Sequence, residues 1–163
     1  MVAVSKDAVP MPEVLIRPML EADVEDVLRI EQSSYAFPWT HGIFRDCLRV
    51  GYHCSVLEVG YVLAGYSVLG TGAGEAHLLN LCVRVEFRFR GLGRKLLHHM
   101  LGQARMAGAR IIILETRTSN LAAIRLYQSQ GFVQIGVRKG YYQASDGRED
   151  AIVMRLPLDE EPP

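Results

Sequence analysis

The sequence predicts one mixed α/β (α+β) domain, and three observations carry that prediction. Strand-like stretches separated by glycine turns run from His53 to Val85. A helix-spaced apolar stripe follows over 91–108, and then the short apolar run Ile111 to Leu114. A second helical stretch and two more strand-like segments complete the pattern. A β-meander leading into strand–helix–strand–helix and a last strand pair builds a mixed, mostly antiparallel central sheet with helices on its faces.

The elements follow in order. Glu13 to Arg17 reads as a strand ended by Pro18. Glu21 to Tyr35 carries Val24, Val27, Leu28 and Ile30 near helical spacing. Ala36-Phe37-Pro38-Trp39 breaks that helix, and Thr40 is an N-cap for a second one through Leu48. His53 to Val59, Tyr61 to Leu69 and His77 to Val85 read as strands, with turns at Gly60 and at Gly70 to Gly74. Gly91 to Gly108 is a helix whose stripe is Leu92, Leu96, Leu97, Met100, Leu101 and Ala104. Ile111 to Leu114 has the continuous apolar character of a strand buried on both faces. Asn120 to Ser129 is a helix closed by Gly131. Phe132 to Lys139 and Asp150 to Leu156 form the last pair. Tyr141 to Gly147 lies between them, with Asp146-Gly147 as the turn.

The chain has 163 residues, 49% apolar and 22% charged, with zero formal net charge. That is one globular domain, with no bulk charge for nucleic acid. The expected division is a loose arm over 1–12, one domain over 13–158 and an acidic tail over 159–163. The start lacks a secretory pattern, and no apolar run approaches the roughly 20 residues that cross a bilayer. Cys47, Cys54 and Cys82 form no C-x-x-C pair, so buried free thiols in a reducing cytoplasm are expected. The five histidines show no metal spacing and read as surface or strand residues.

Two clusters carry chemistry. In the first, Arg88-Phe89-Arg90-Gly91-Leu92-Gly93 lies between a strand and a helix. Glycines there let backbone N–H groups converge, and the helix N-terminus adds partial positive charge, so a pyrophosphate fits. Arg88, Arg90, Arg94 and Lys95 add full charges. A Walker loop and a full dinucleotide fingerprint are both absent.

The second cluster, Leu114 to Tyr127, puts Glu115 at the C-terminal end of a buried strand and Tyr127 two helical turns beyond Asn120. A partly buried carboxylate can take a proton from an ammonium, and a phenol can donate to a departing sulfur. The same residues also fit an ion pair with Arg117 and a core tyrosine.

Arg-x-x-Gly-x-Gly after a strand and opening a helix resembles the coenzyme A loop of the GNAT superfamily. The stretches from His77 to Val83 and from Arg94 to Leu97 resemble that family's central motif. The resemblance implies a GNAT fold and acetyl-coenzyme A as cosubstrate, with no metal. It implies that the backbone of Leu81, Cys82 and Val83 pairs with the pantetheine arm, and that the Val83 amide polarises the thioester carbonyl. Arg84-Val85 stands where relatives often carry an acidic residue and a proline.

Leu114-Glu115-Thr116-Arg117, Ser119-Asn120, Ala122-Ala123-Ile124 and Leu126-Tyr127 before Gly131-Phe132 resemble the RimI-type subgroup, the ribosomal-protein alanine N-acetyltransferases. Ala36 to Thr40, and Tyr141-Tyr142 with Asp146 to Ile152, match the same subgroup, so the resemblance runs from Leu15 to Leu158. It implies Glu115 as general base, Tyr127 as general acid and Asn120 as a partner of the pantetheine arm. The acceptor is then the N-terminal alanine of a ribosomal protein, small-subunit protein eighteen, modified in the cytoplasm by a monomer. Nucleic acid and membrane are not expected partners. Tyr141 and Tyr142 offer flat amphipathic surfaces to a peptide. Trp39 suits a substrate wall and a core plug equally. An α-amine, with a pKa of about 7.7 to 8.0, asks less of one base than a lysine at about 10.4. A broader acetyltransferase acting on lysines or other N-termini, and a coenzyme A-binding assembly module, are the alternatives.

Overall fold

The computed structural model describes residues 12–158. The arm expected over 1–12, apart from Pro12, and the tail expected over 159–163 lie outside the described residues.

Strand β1 (Val14–Pro18) is followed by a single 3-10 turn at Glu21–Asp23, then α1 (Val24–Ser34) and α2 (His41–Arg49). The helix expected from Glu21 begins only at Val24. Asp23 is the reason: its Oδ2 accepts from Leu20 N and from Arg17 Nη1, each at 2.7 Å, which tightens the entry turn. Arg17 also reaches Glu58 at 2.8 Å, tying that turn to the sheet. Thr40 caps α2 as expected, its Oγ1 accepting from Ile43 N at 3.3 Å.

The meander is β2 (His53–Val59), β3 (Val62–Gly72) and β4 (Glu75–Val83). The turn expected over Gly70 to Gly74 contracts to Ala73-Gly74. Both residues take positive φ, 52° and 78°, the two-residue hairpin geometry that matches strand twist. After a 3-10 turn (Val85–Phe87) come α3 (Leu92–Met106), β5 (Ile111–Arg117), α4 (Leu121–Ser129), β6 (Val133–Ala144) and β7 (Gly147–Pro157). The last two strands are longer than expected. Tyr141 and Tyr142 continue β6, because Gly140 at φ 59° absorbs a bulge and Ser145-Asp146 makes the turn.

The seven strands form one sheet in the order β1-β2-β3-β4-β5-β7-β6, and only β4 and β5 run parallel. This is the GNAT architecture that the motifs implied. Helices α3 and α4 bury Leu97, Met100 and Tyr127 against Leu78, Ile112, Leu114 and Met154 on one face. Helices α1 and α2 bury Val24, Val27, Ile30 and Phe44 against Val56, Tyr66 and Val68 on the other. Strand β5 alternates rather than being buried on both faces. Ile112, Leu114 and Thr116 are buried, while Ile111 and Ile113 are only half-buried, since α1 and α2 pack on β2, β3 and β4. Gly65 is required where α3 meets β3: a Cβ there would lie 2.8 Å from Cys82 O and 3.1 Å from Leu96 Cδ1. Cys47, Cys54 and Cys82 are all free and buried.

Candidate active site

Strands β4 and β5 pair in register only from Glu75↔Ile111 to Leu78↔Leu114. Beyond that, Leu79–Val83 and Glu115–Arg117 diverge. A bulge between Val68 and Leu69 in the β3–β4 ladder bends β4 at the same level. The wedge between the strands holds a cavity of about 190 Å³. Leu81, Glu115, Asn120, Tyr127, Trp39 and Tyr142 all line it, so residues spread over a hundred positions meet at one place.

Glu115 sits at the wedge apex with its side chain 6% exposed. Its Oε2 is 2.5 Å from His77 Nε2 and its Oε1 is 3.6 Å from Arg138 Nη2. Oε1 is buried and takes part in no hydrogen bond. Across the cavity, Tyr127 is 6% exposed and packs on Phe132 at a centroid distance of 5.6 Å. Burial raises its hydroxyl above the ordinary phenol range, so it stays protonated at neutral pH. Asn120 caps α4 through Oδ1, which accepts from Ala123 N at 3.2 Å, and so fixes where that helix presents Tyr127.

Aromatic side chains form the outer wall. Trp39 stacks on Phe44 at 5.3 Å, so it plugs the core with one side and lines the cavity with the other. Tyr142 lines the cavity. Tyr141 meets it edge-on at 4.9 Å and is itself exposed, outside the lining. The Tyr142 phenol is pushed up to about 12, first by burial and then by Tyr141 and Glu115. Arg117 lies 4.5 Å over the Tyr142 ring and donates to Glu149 Oε1 at 3.0 Å. Glu149 Oε2 also accepts from Ser119 N at 2.9 Å, which ties the β6–β7 hairpin to the loop that opens α4.

The glycine-rich turn lies at the start of α3, with Gly91 at φ 77° as its N-cap and Phe89 at φ 63°. Such alternation turns backbone N–H groups inward into an anion-binding nest. Arg88, Phe89, Arg90 and Arg94 are exposed around it, and Leu92 anchors the turn with a buried side chain. Arg88 Nε donates to Val83 O at 3.0 Å, and Arg90 packs over Phe87 at 5.3 Å. At Gly93 a Cβ would stand 3.4 Å from Leu126 Cδ2 and 3.9 Å from Val83 Cγ2, ordinary contact distances that bring α3 beside α4 and β4. Cys82 points into the core under α1 and α2, and neither it nor Val83 lines the wedge cavity, which on β4 reaches from Leu78 to Leu81.

Residues 24–132 match the acetyltransferase (GNAT) family model. The chain belongs to the acetyltransferase (GNAT) family. The Escherichia coli [ribosomal protein bS18]-alanine N-acetyltransferase is 38% identical, over 83% of this chain and 92% of that protein. The Haemophilus ducreyi enzyme of the same name is 35% identical, over 88% of this chain and all of its own length. The crystal structure of the Escherichia coli ribosomal-protein-S18-alanine N-acetyltransferase superposes with a TM-score of 0.85 at 35% identity, covering 92% of this chain and 97% of that one.

Several residues of this GNAT site escaped sequence reasoning. Glu31, 2% exposed at the back of the cavity, accepts from Trp39 N at 3.0 Å, from Asn80 Nδ2 at 3.0 Å and from the Tyr66 hydroxyl. A carboxylate one residue after Ile30 and seven after Val24, in phase with the apolar stripe, was the available signal. His77, expected only as a surface or strand residue, lies in β4 and is bonded to Glu115. Its position two residues before Leu79 on the cavity-facing side of β4 carried that information.

Proposed function

We propose that this GNAT enzyme transfers the acetyl group of acetyl-coenzyme A to the N-terminal alanine of the bS18-type ribosomal protein. The supporting observation is the wedge between β4 and β5. It gathers a buried carboxylate with an unbonded oxygen, a protonated phenol and an aromatic wall in a chain 38% identical to bS18-alanine N-acetyltransferases.

The thioester supplies an activated acetyl carbonyl. In this reading the pyrophosphate rests on the nest at Phe89 to Gly93, flanked by Arg88, Arg90 and Arg94. The pantetheine arm follows the free edge of Leu81, Cys82 and Val83, with Asn120 beside it. The Val83 N–H polarises the carbonyl as an oxyanion donor. Glu115 takes a proton from the acceptor ammonium, and the freed amine attacks the carbonyl carbon. The Tyr127 hydroxyl donates to the departing sulfur as the C–S bond breaks, and the second proton lost by the amine nitrogen restores the phenol. Trp39, Tyr141 and Tyr142 flank the peptide behind its first residue. The enzyme works as a monomer in the cytoplasm and needs no metal.

Mass spectrometry tests this directly. A peptide with the Ala-started N-terminus of that ribosomal protein should gain one acetyl group on its α-amine. An N-blocked, lysine-bearing counterpart should gain none. Acetylation of the blocked peptide at a similar rate overturns the acceptor assignment.

A further inference from the structure

Glu115 lines two cavities. One is the wedge. The other is an adjoining groove, bordered like the wedge by Glu115 and Leu79, and also by Tyr52, Glu75, His77 and Arg138. The carboxylate is 6% exposed, yet His77, 2.5 Å away, is 43% exposed in that groove. A proton taken from the acceptor inside a closed Michaelis complex has to leave the carboxylate before the next turnover, and acceptor and acetyl donor occupy the wedge side. The imidazole is the bonded link from the buried carboxylate to open water in the adjoining groove.

We propose that His77 relays the proton from Glu115 to solvent in the outer groove, an inference that rests on Glu115 being the base. The steps balance. Glu115 gains one proton from the acceptor ammonium and passes one across the Oε2–Nε2 hydrogen bond to the neutral ring. The resulting imidazolium releases one proton from Nδ1 to water. The half-exposed ring then returns to its starting tautomer by exchange with water. His77 acts through Glu115 and touches no reacting atom, so it is a positioning and relaying residue.

The surroundings of the ring are defined. Within β4 it has Glu75, on β5 Glu115, on β6 Arg138, and from the loop before β2 Tyr52. On β3 it faces Gly70, beside Thr71, which is hydrogen-bonded to His53 at 3.2 Å. The rate profile that tests this has to span about pH 5 to 8, the window over which imidazoles in general change charge. A protonated ring cannot accept from Glu115, so turnover rises as the ring loses its proton.

The test is steady-state acetylation of the Ala-started peptide across that pH range by wild type, H77Q and E115Q. Glutamine can still donate a hydrogen bond to Glu115 but cannot take up and release a proton. H77Q should lose about tenfold in kcat, keep its KM for acetyl-coenzyme A, lack the imidazole limb of the pH profile and recover when free imidazole is added. Should H77Q fail to fold, H77N serves the same comparison. Wild-type kcat and pH limb in H77Q, with E115Q inactive, overturn the relay alone. A slow H77Q that keeps the limb and ignores imidazole reduces His77 to a structural prop and overturns the relay too. An E115Q as active as wild type removes the base assignment, and the relay with it.

Discussion

The backbone N–H of Trp39 donates to Oε1 of Glu31 at 3.0 Å, so the loop between the first two helices hangs from a carboxylate buried at 2% exposure. The same carboxylate is held by the Tyr66 hydroxyl and by Asn80 on β4. One acidic side chain thus joins α1, the Trp39 wall and the strand bordering the wedge. Replacing it strands three donors at once. Glu31→Ala should cost about 3 kcal/mol in denaturant unfolding and raise the KM for peptide while leaving that for acetyl-coenzyme A unchanged.

Glu115→Gln and Tyr127→Phe should separate chemistry from folding. Removing the proposed base should lower kcat/KM by about 10²- to 10⁴-fold, with acetyl-coenzyme A binding retained in calorimetry. The Tyr127 ring packs on Phe132 in the core, and the residue also lines the cavity. Tyr127→Phe should therefore lower kcat and leave the unfolding midpoint close to wild type. A Phe variant with full kcat removes Tyr127 as the acid.

Gly91 isolates the backbone geometry of the phosphate turn. A Cβ there meets nothing within 4 Å, yet φ is +77°. Gly91→Ala should cost roughly 1 kcal/mol of stability through strain alone. Affinity for coenzyme A should fall several-fold, and affinity for the peptide should not change. Both are read by calorimetry.

Stability below neutral pH should depend on Glu149. Its carboxyl is held down at about 2, first by hydrogen bonding from Ser119 and then by Arg117, against 4.5 in its ordinary state. The folded value is the lower one. Its stabilisation is therefore complete above about pH 4.5 and is lost as pH falls from there toward 2. Between pH 7 and pH 3, the thermal midpoint of wild type should drop further than that of Glu149→Gln.

Apolar spacing located α1 and α3, cap and breaker residues located α2 and α4, and glycine turns divided the meander strands, because all of these are local information. Where boundaries moved, tertiary or turn geometry overrode the local pattern. Asp23 pulled the start of α1 into a 3-10 turn, Ala73-Gly74 shortened a glycine-rich turn, and Gly140 let β6 run on through Tyr141 and Tyr142. The apolar run Ile111 to Leu114 read as doubly buried, but which face a helix covers depends on sheet order. Glu115, Tyr127, Asn120 and the glycine turn stood out because their motif spacing is short. Glu31 and His77 did not. A lone acid in a helix and a lone histidine in a strand acquire meaning only when β4 and β5 come together in parallel.

The parting of β4 and β5 after Leu78 and Leu114 has a thermodynamic consequence. The free edge of β4 is a set of backbone groups without strand partners, so the fold is least complete where its cosubstrate would lie. A ligand that fills the gap binds only the folded chain, and at a hundred times its dissociation constant it adds about 2.7 kcal/mol to stability. The chain would then be hardest to unfold when that gap is filled, so occupancy of the site would set its resistance to unfolding.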